Sequence, residues 1–117
     1  AVIGHEMHHG FDDQGSQYDK DGNLKNGGTT EDRKKVEQQA QQVVDQYNHY
    51  TVLDSVHVNG QLTEGENIAD IGGLAIAYAA FKNTPEGKSA DKINGLTPDQ
   101  RFFMSFAQVW RIKNTNA

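Results

Sequence analysis

The chain contains no cysteine, which removes disulfides, thiolate catalysis and every cysteine-based metal site. It also has no apolar run approaching the roughly 20 residues that span a bilayer. The opening Ala1-Val2-Ile3-Gly4-His5 lacks the charged n-region and apolar stretch of a targeting signal. With a formal net charge of -5 and no long basic run, the electrostatic footprint of a nucleic-acid binder is missing, and so is that of a membrane-surface binder. Internal repeats and low-complexity segments are absent, and the compartment stays open.

The 117 residues are expected to form one domain, 1–117, because a single core commonly organises about 50 to 200 residues. Hydrophobic residues make up 35% and charged residues 23%, so the core should be modest. Val2, Ile3 and Met7 among histidines predict a short helix from Ala1 to about Phe11, stopped by Gly10. So short a helix is marginal alone, and the chain is expected to begin inside a longer one. From Asp12 to Gly28 the sequence reads as an irregular loop. Its Asp19-Lys20-Asp21-Gly22 invites a calcium loop, but the EF-hand alignment puts Gln17 at position one and Gly28 at position twelve. Turn chemistry is the better reading.

Thr29-Thr30-Glu31-Asp32 caps a predicted amphipathic helix with Val36, Ala40, Val43, Val44 and Tyr47 on one face. Val56, Val58 and Leu62 then alternate with polar residues around Asn59-Gly60, which predicts a small hairpin turning there. Glu66 to Lys82 is apolar around almost its whole circumference and should be a buried helix. Gly72 and Gly73 inside it suggest that another backbone packs closely. Asn83 to Gly95 reads as a linker. Thr97-Pro98-Asp99-Gln100 then caps a last helix carrying Phe102, Phe103, Phe106, Val109 and Trp110. The expected fold is mainly α, about four helices with a small β-hairpin.

His5-Glu6-Met7-His8-His9 fits H-E-x-x-H, in which two histidines four apart on a helix project from one face at a separation suited to one zinc ion. Glu6, rotated by about 100° from His5, is placed as a general base towards a water at the metal. With five histidines and six glutamates in this chain, a chance match somewhere is roughly one in a hundred; the competing reading is a surface helix that happens to carry histidines. Catalytic zinc generally takes three protein ligands. Glu66 is the best third candidate, with Asp70 on the same face to accept from a histidine ring N–H; an acidic first helical turn is the alternative. His8 is read as solvent-facing, and His49 and His57 as surface residues. Asp12 and Asp13, just past the helix, either orient another group or simply begin an acidic loop.

The run Val2-Ile3-Gly4-His5-Glu6 through His8-His9-Gly10-Phe11-Asp12-Asp13, the later Gly65-Glu66-Asn67-Ile68-Ala69-Asp70, and Phe106-Ala107-Gln108-Val109-Trp110 resemble the neprilysin family of zinc endopeptidases, of the gluzincin type. The resemblance runs the whole chain. It implies a zincin-like core in which His5, His9 and Glu66 bind Zn2+, Glu6 is catalytic, Asp70 supports the ligands from behind, and Asp12 supports a transition-state histidine. It implies internal cleavage of oligopeptide substrates and a location outside the cytoplasm. In the family the transition-state histidine and the substrate-binding arginine follow the Val-Trp segment, and a substrate-binding strand precedes the zinc helix. The chain is thus expected to be an excised core, truncated at both ends, whose partner is the missing remainder of the peptidase. Where relatives show a tryptophan pair it has Gly27-Gly28, and where they show leucine it has Glu64, departures that remove apolar bulk. The alternative functions are a zinc-binding but catalytically inactive module and a metal-free helical interaction domain.

Overall fold

The computed structural model describes residues 1–25 and 27–112; Asn26, inside the expected loop, and Lys113–Ala117 lie outside them. Among the described residues, five helices and one hairpin follow in the order α1 (Val2–His8), α2 (Thr30–Asn48), β1 (Thr51–Leu53), β2 (Val56–His57), α3 (Glu64–Lys82), α4 (Pro85–Lys88) and α5 (Pro98–Val109). A single 3-10 turn at Gly15–Gln17 interrupts the loop after α1.

Both predicted capping boxes form. Thr29 Oγ1 accepts from the Asp32 amide while Asp32 reaches back to the Thr29 amide, and Thr97 with Gln100 repeats the exchange at α5. Each box satisfies helix-terminal N–H groups that would otherwise lack partners. The expected linker holds α4, a single turn capped by Thr84 with Pro85 at its first position. It gives the chain a fifth, short helix.

The hairpin sits earlier than its turn dipeptide suggested. β1 pairs antiparallel with β2, Thr51 opposite His57 and Leu53 opposite Val56, so the chain reverses at Asp54, whose φ is 45°. Asn59-Gly60 lies past the second strand. There Gly60 is buried, donates its N–H to Asn48 Oδ1 at 2.7 Å, and is so close to the Val44 carbonyl that a Cβ would overlap it. The glycine therefore serves a contact with α2 instead of a turn.

The helix α3 begins two residues before Glu66, at Glu64, and is covered only in part. Glu64, Asn67, Ala69 and Gly73 are buried along it, whereas Ile71 and Ile76 are exposed. The expectation of burial all round is corrected: α1 and α2 pack on α3 and α5 reaches its far end through Phe81 and Phe102, and these contacts leave Ile71 and Ile76 exposed. Among the described residues, Ala40, Val44 and Ala69 are the buried hydrophobic ones. A radius of gyration of 17.3 Å, against about 13 Å for a compact chain of this length, describes the same thin, spread layer.

Candidate metal centre

α1 has neither a side-chain cap nor an acidic first turn, and seven residues do not sustain a helix alone. It is held by α3. Gly4 and Gly73 bring the two backbones together, for a Cβ on Gly4 would stand 2.9 Å from the Gly73 carbonyl oxygen and one on Gly73 would overlap the His5 amide nitrogen. Gly72 is covered by a side chain instead of a backbone: the His8 ring lies where its Cβ would be, with His8 Nδ1 2.9 Å from the Gly4 carbonyl oxygen. His8 is thus half-buried packing material, not the solvent-facing residue its position on the helix suggested.

With the backbones this close, side chains from both helices converge. His9 caps α1 in helical geometry (φ -57°, ψ -23°), which preserves its four-residue phase with His5. His5 Nε2 lies 3.0 Å from His9 Nε2. Glu66 Oε2 lies 3.2 Å from the first and 3.6 Å from the second. Three ligands at zinc distances of about 2.05 Å in tetrahedral array would stand about 3.3 Å apart, and the observed triangle brackets that edge.

The outer ring nitrogens are also engaged. His5 Nδ1 is 2.8 Å from Asp70 Oδ1, and His9 Nδ1 is 2.7 Å from Asp12 Oδ2. Asp12 is itself fixed, since its Oδ1 accepts from the Gln14 and Gly15 amides at 3.0 and 2.7 Å and the residue is buried. With Nδ1–H donating to a carboxylate on each ring, the two Nε2 lone pairs face one another beside a third acceptor, Glu66. Three converging acceptors repel unless a cation sits between them. The donor set fits a zinc ion, and among the described residues His5, His9 and Glu66 form the one such cluster of possible ligands.

Charge around the site agrees. The hydrogen bond to Asp12 raises the His9 pKa above its ordinary value against the opposing effect of burial, with Glu66, Asp12 and Glu6 adding electrostatic attraction for a proton. A site that holds a proton this way also attracts a metal ion. Burial pushes the Asp12 carboxyl upward, but the bonds from His9, Gly15 and Gln14 outweigh it and its pKa is lowered.

Glu6 is exposed on α1, one residue on from His5 and off the ligand triangle. Asp13 does not join Asp12; it accepts from the Gln14 side chain at 3.1 Å and lies against the start of α3. His49 and His57 are exposed, as expected. Trp110, at the end of α5, was not singled out for the site from the sequence, yet its ring centroid is 5.4 Å from that of His5. No local signal places it there, because the contact joins residues of α1 and α5.

The whole chain, residues 1–117, matches the model of Peptidase family M13. It is 49% identical over 113 residues to endothelin-converting enzyme 1 of Rattus norvegicus, covering 94% of this chain and 15% of that protein. It is 47% identical over 122 residues to neprilysin-11 of Caenorhabditis elegans, covering 100% and 14%. Among solved structures, the Mycobacterium tuberculosis zinc metalloprotease ZMP1 in complex with inhibitor superposes with a TM-score of 0.83 at 46% identity, over 94% of this chain and 18% of that one. PepO from Lactobacillus rhamnosis HN001 gives a TM-score of 0.77 at 35% identity, over 93% and 16%. The chain therefore spans about one seventh of the length of the curated relatives it matches.

Proposed function

Because the chain belongs to peptidase family M13, we propose that it is the zinc-binding core of a metalloendopeptidase that hydrolyses oligopeptides. In this reading His5, His9 and Glu66 hold the metal and Glu6 is the general base. The observation that carries it is the triangle of His5 Nε2, His9 Nε2 and Glu66 Oε2 with both outer ring nitrogens held by carboxylates.

Zinc, when bound, supplies Lewis acidity at the scissile carbonyl and lowers the pKa of water towards about 7. Glu6 takes one proton from the attacking water as the oxygen bonds to the carbonyl carbon. It then delivers that proton to the amine nitrogen as the C–N bond breaks, so no covalent enzyme intermediate forms. Asp70 and Asp12 keep His5 and His9 in the tautomer that presents Nε2 inward.

A second reading, metal binding without turnover by this chain alone, is favoured by one observation: the Glu66 side chain is 68% exposed. Electrostatic catalysis gains most where water is excluded, and a ligand this open is consistent with a site completed by other parts of a larger enzyme.

Calorimetric titration of zinc into the metal-free chain tests the core claim. One-to-one binding weakened by both His5→Ala and Glu66→Ala supports the ligand set, and binding indifferent to Glu66→Ala overturns it. Glu6→Gln then separates the two readings. If the chain is a catalyst, hydrolysis of a quenched peptide falls by about 100- to 10,000-fold while zinc affinity stays nearly unchanged.

A further inference from the structure

Among the described residues, two asparagine–glycine pairs follow a β-branched aliphatic residue, Val58-Asn59-Gly60 and Ile93-Asn94-Gly95. In such a pair the side-chain carboxamide is open to attack by the backbone nitrogen of the next residue, and glycine, with no Cβ, leaves that nitrogen unhindered. The local sequences are nearly alike. A difference in their reactivity therefore has to come from the fold.

The structure locks the first pair. Gly60 is buried and donates its N–H to Asn48 Oδ1 at 2.7 Å, while Asn59 Oδ1 accepts from the Leu62 amide at 3.0 Å. Attacking nitrogen and attacked carboxamide are both held, and both bonds must break before the two can meet. Asn94 and Gly95 are instead exposed, with φ of 51° and 76°, the central pair of a two-residue turn. Across it Ile93 and Leu96 exchange N–H···O bonds of 3.1 and 3.0 Å. Among the described residues, no hydrogen bond engages the Asn94 carboxamide or the Gly95 N–H. A turn held by two backbone bonds at the surface opens locally with little penalty, which lets Asn94 rotate out of the left-handed region and bring its carboxamide to the Gly95 nitrogen.

We propose that Asn94 is a site of spontaneous deamidation to isoaspartate, and that this modification opens the turn before α5. The Gly95 nitrogen gives up its proton and bonds to Asn94 Cγ, and the carboxamide nitrogen takes that proton and leaves as ammonia. One water then opens the cyclic imide. Cleavage between the Gly95 nitrogen and the original main-chain carbonyl leaves isoaspartate, cleavage of the new bond leaves aspartate, and nothing is oxidised or reduced. Aspartate keeps the turn, since it tolerates left-handed φ as asparagine does. Isoaspartate lengthens the main chain by one methylene, so Ile93 and Leu96 no longer stand opposite one another. Leu96 matters beyond the turn: its carbonyl accepts from Arg101 Nη1 at 2.7 Å, and the next residue, Thr97, caps α5, the helix that brings Trp110 to His5.

The test ages the full chain at mildly alkaline pH, folded and in urea, and follows both pairs by peptide mapping, with an isoaspartyl methyltransferase to count isoaspartate. In the folded chain Asn94 is expected to convert at least about tenfold faster than Asn59, with isoaspartate among its products, and in urea the two rates should converge. Equal rates in the folded chain, a ratio that persists in urea, or an Asn94 that stays intact when folded overturns the proposal. Amide hydrogen exchange then reads the consequence. The isoaspartate form should lose protection at Ile93 and Leu96, whereas Asn94→Asp, which adds the charge without the methylene, should keep it. Equal protection in the two forms overturns the opening of the turn. Asn94→Gln, whose longer side chain closes a larger ring more slowly, should suppress conversion at this position and leave Asn59 as it was.

Discussion

Gly4 and Gly73 meet backbone to backbone, and on that contact depends the distance between the histidines of α1 and Glu66 of α3. Alanine at position 73 would gain about 1 kcal/mol of helix propensity. Its methyl group, however, would overlap the His5 amide nitrogen, where only backbone lies and nothing flexible can yield. Overpacking of this kind costs about 1 to 3 kcal/mol, so the clash wins. Gly73→Ala is expected to lower the melting temperature and to weaken zinc binding at least tenfold, at the same time, because α1 must move away from Glu66. Thermal unfolding beside calorimetry checks this, and a stabilised variant with unchanged zinc affinity would show that the contact does not set the site.

The carboxylates behind the two histidines should not be equivalent. Asp70 is about one-third exposed and contacts His5, whereas Asp12 is buried and holds His9 with one oxygen and two backbone amides with the other. Loss of such a partner typically costs 10- to 100-fold in metal affinity. Asp70→Asn is expected to show that loss with little change in folding. Asp12→Asn should show it together with about 1 to 3 kcal/mol of destabilisation, since an amide cannot accept on both sides and leaves a buried donor unmatched. Comparing zinc affinity with urea midpoints for the two variants separates these outcomes.

How much of this was legible in the sequence depends on the range of the interaction. The two capping boxes are complete within four residues, and Thr29 with Asp32 and Thr97 with Gln100 announce them. The His5–His9 spacing is equally local. Gly60 shows the opposite case: beside Asn59 it reads as a hairpin turn, but its actual constraint is the Val44 carbonyl, sixteen positions earlier. His8 looks outward on an isolated helix and is turned inward because Gly72, on another helix, leaves a place for its ring. Trp110 approaches His5 for reasons that no window of sequence contains.

The pH dependence of zinc binding follows from the His9–Asp12 pair. In the metal-free protein the His9 pKa is raised, chiefly by its bond to Asp12. The stability this gives is fully present below the unfolded imidazole value of 6.5 and is lost as pH rises through the folded one. Asp12 has the opposite sign: its lowered pKa gives stability present above 3.8, lost as pH falls through the folded value. The pair therefore stabilises the metal-free chain between those two limits. Zinc must displace the His9 proton, so affinity should fall tenfold per pH unit below the folded His9 pKa. Asp12→Asn is expected to move that break to lower pH, and a break that stays in place would locate the competing proton elsewhere.

Glu64 gives a prediction of opposite direction, in which a substitution stabilises. Burial raises its pKa, Asp13 raises it further, and the bond from Gln61 offsets only part. A carboxyl with a raised folded pKa contributes its full stability below the unfolded value of 4.5 and loses it as pH rises through the folded value. At neutral pH the ionised group therefore opposes folding, in a setting that is 8% exposed and on the same face of α3 as Ile68 and Ile71, all three lining the open cavity between α2 and α3. Glu64→Leu removes that charge and covers part of the apolar wall, and a buried leucine contributes roughly 1.5 to 3 kcal/mol relative to an exposed one. Since the cavity stays partly open, about 1 kcal/mol of added stability at pH 7 is expected. The gain should shrink below pH 4.5, where wild-type Glu64 is protonated in both states. Urea unfolding of both proteins at neutral and acid pH measures this, and an equal gain at the two values would assign the effect to packing alone.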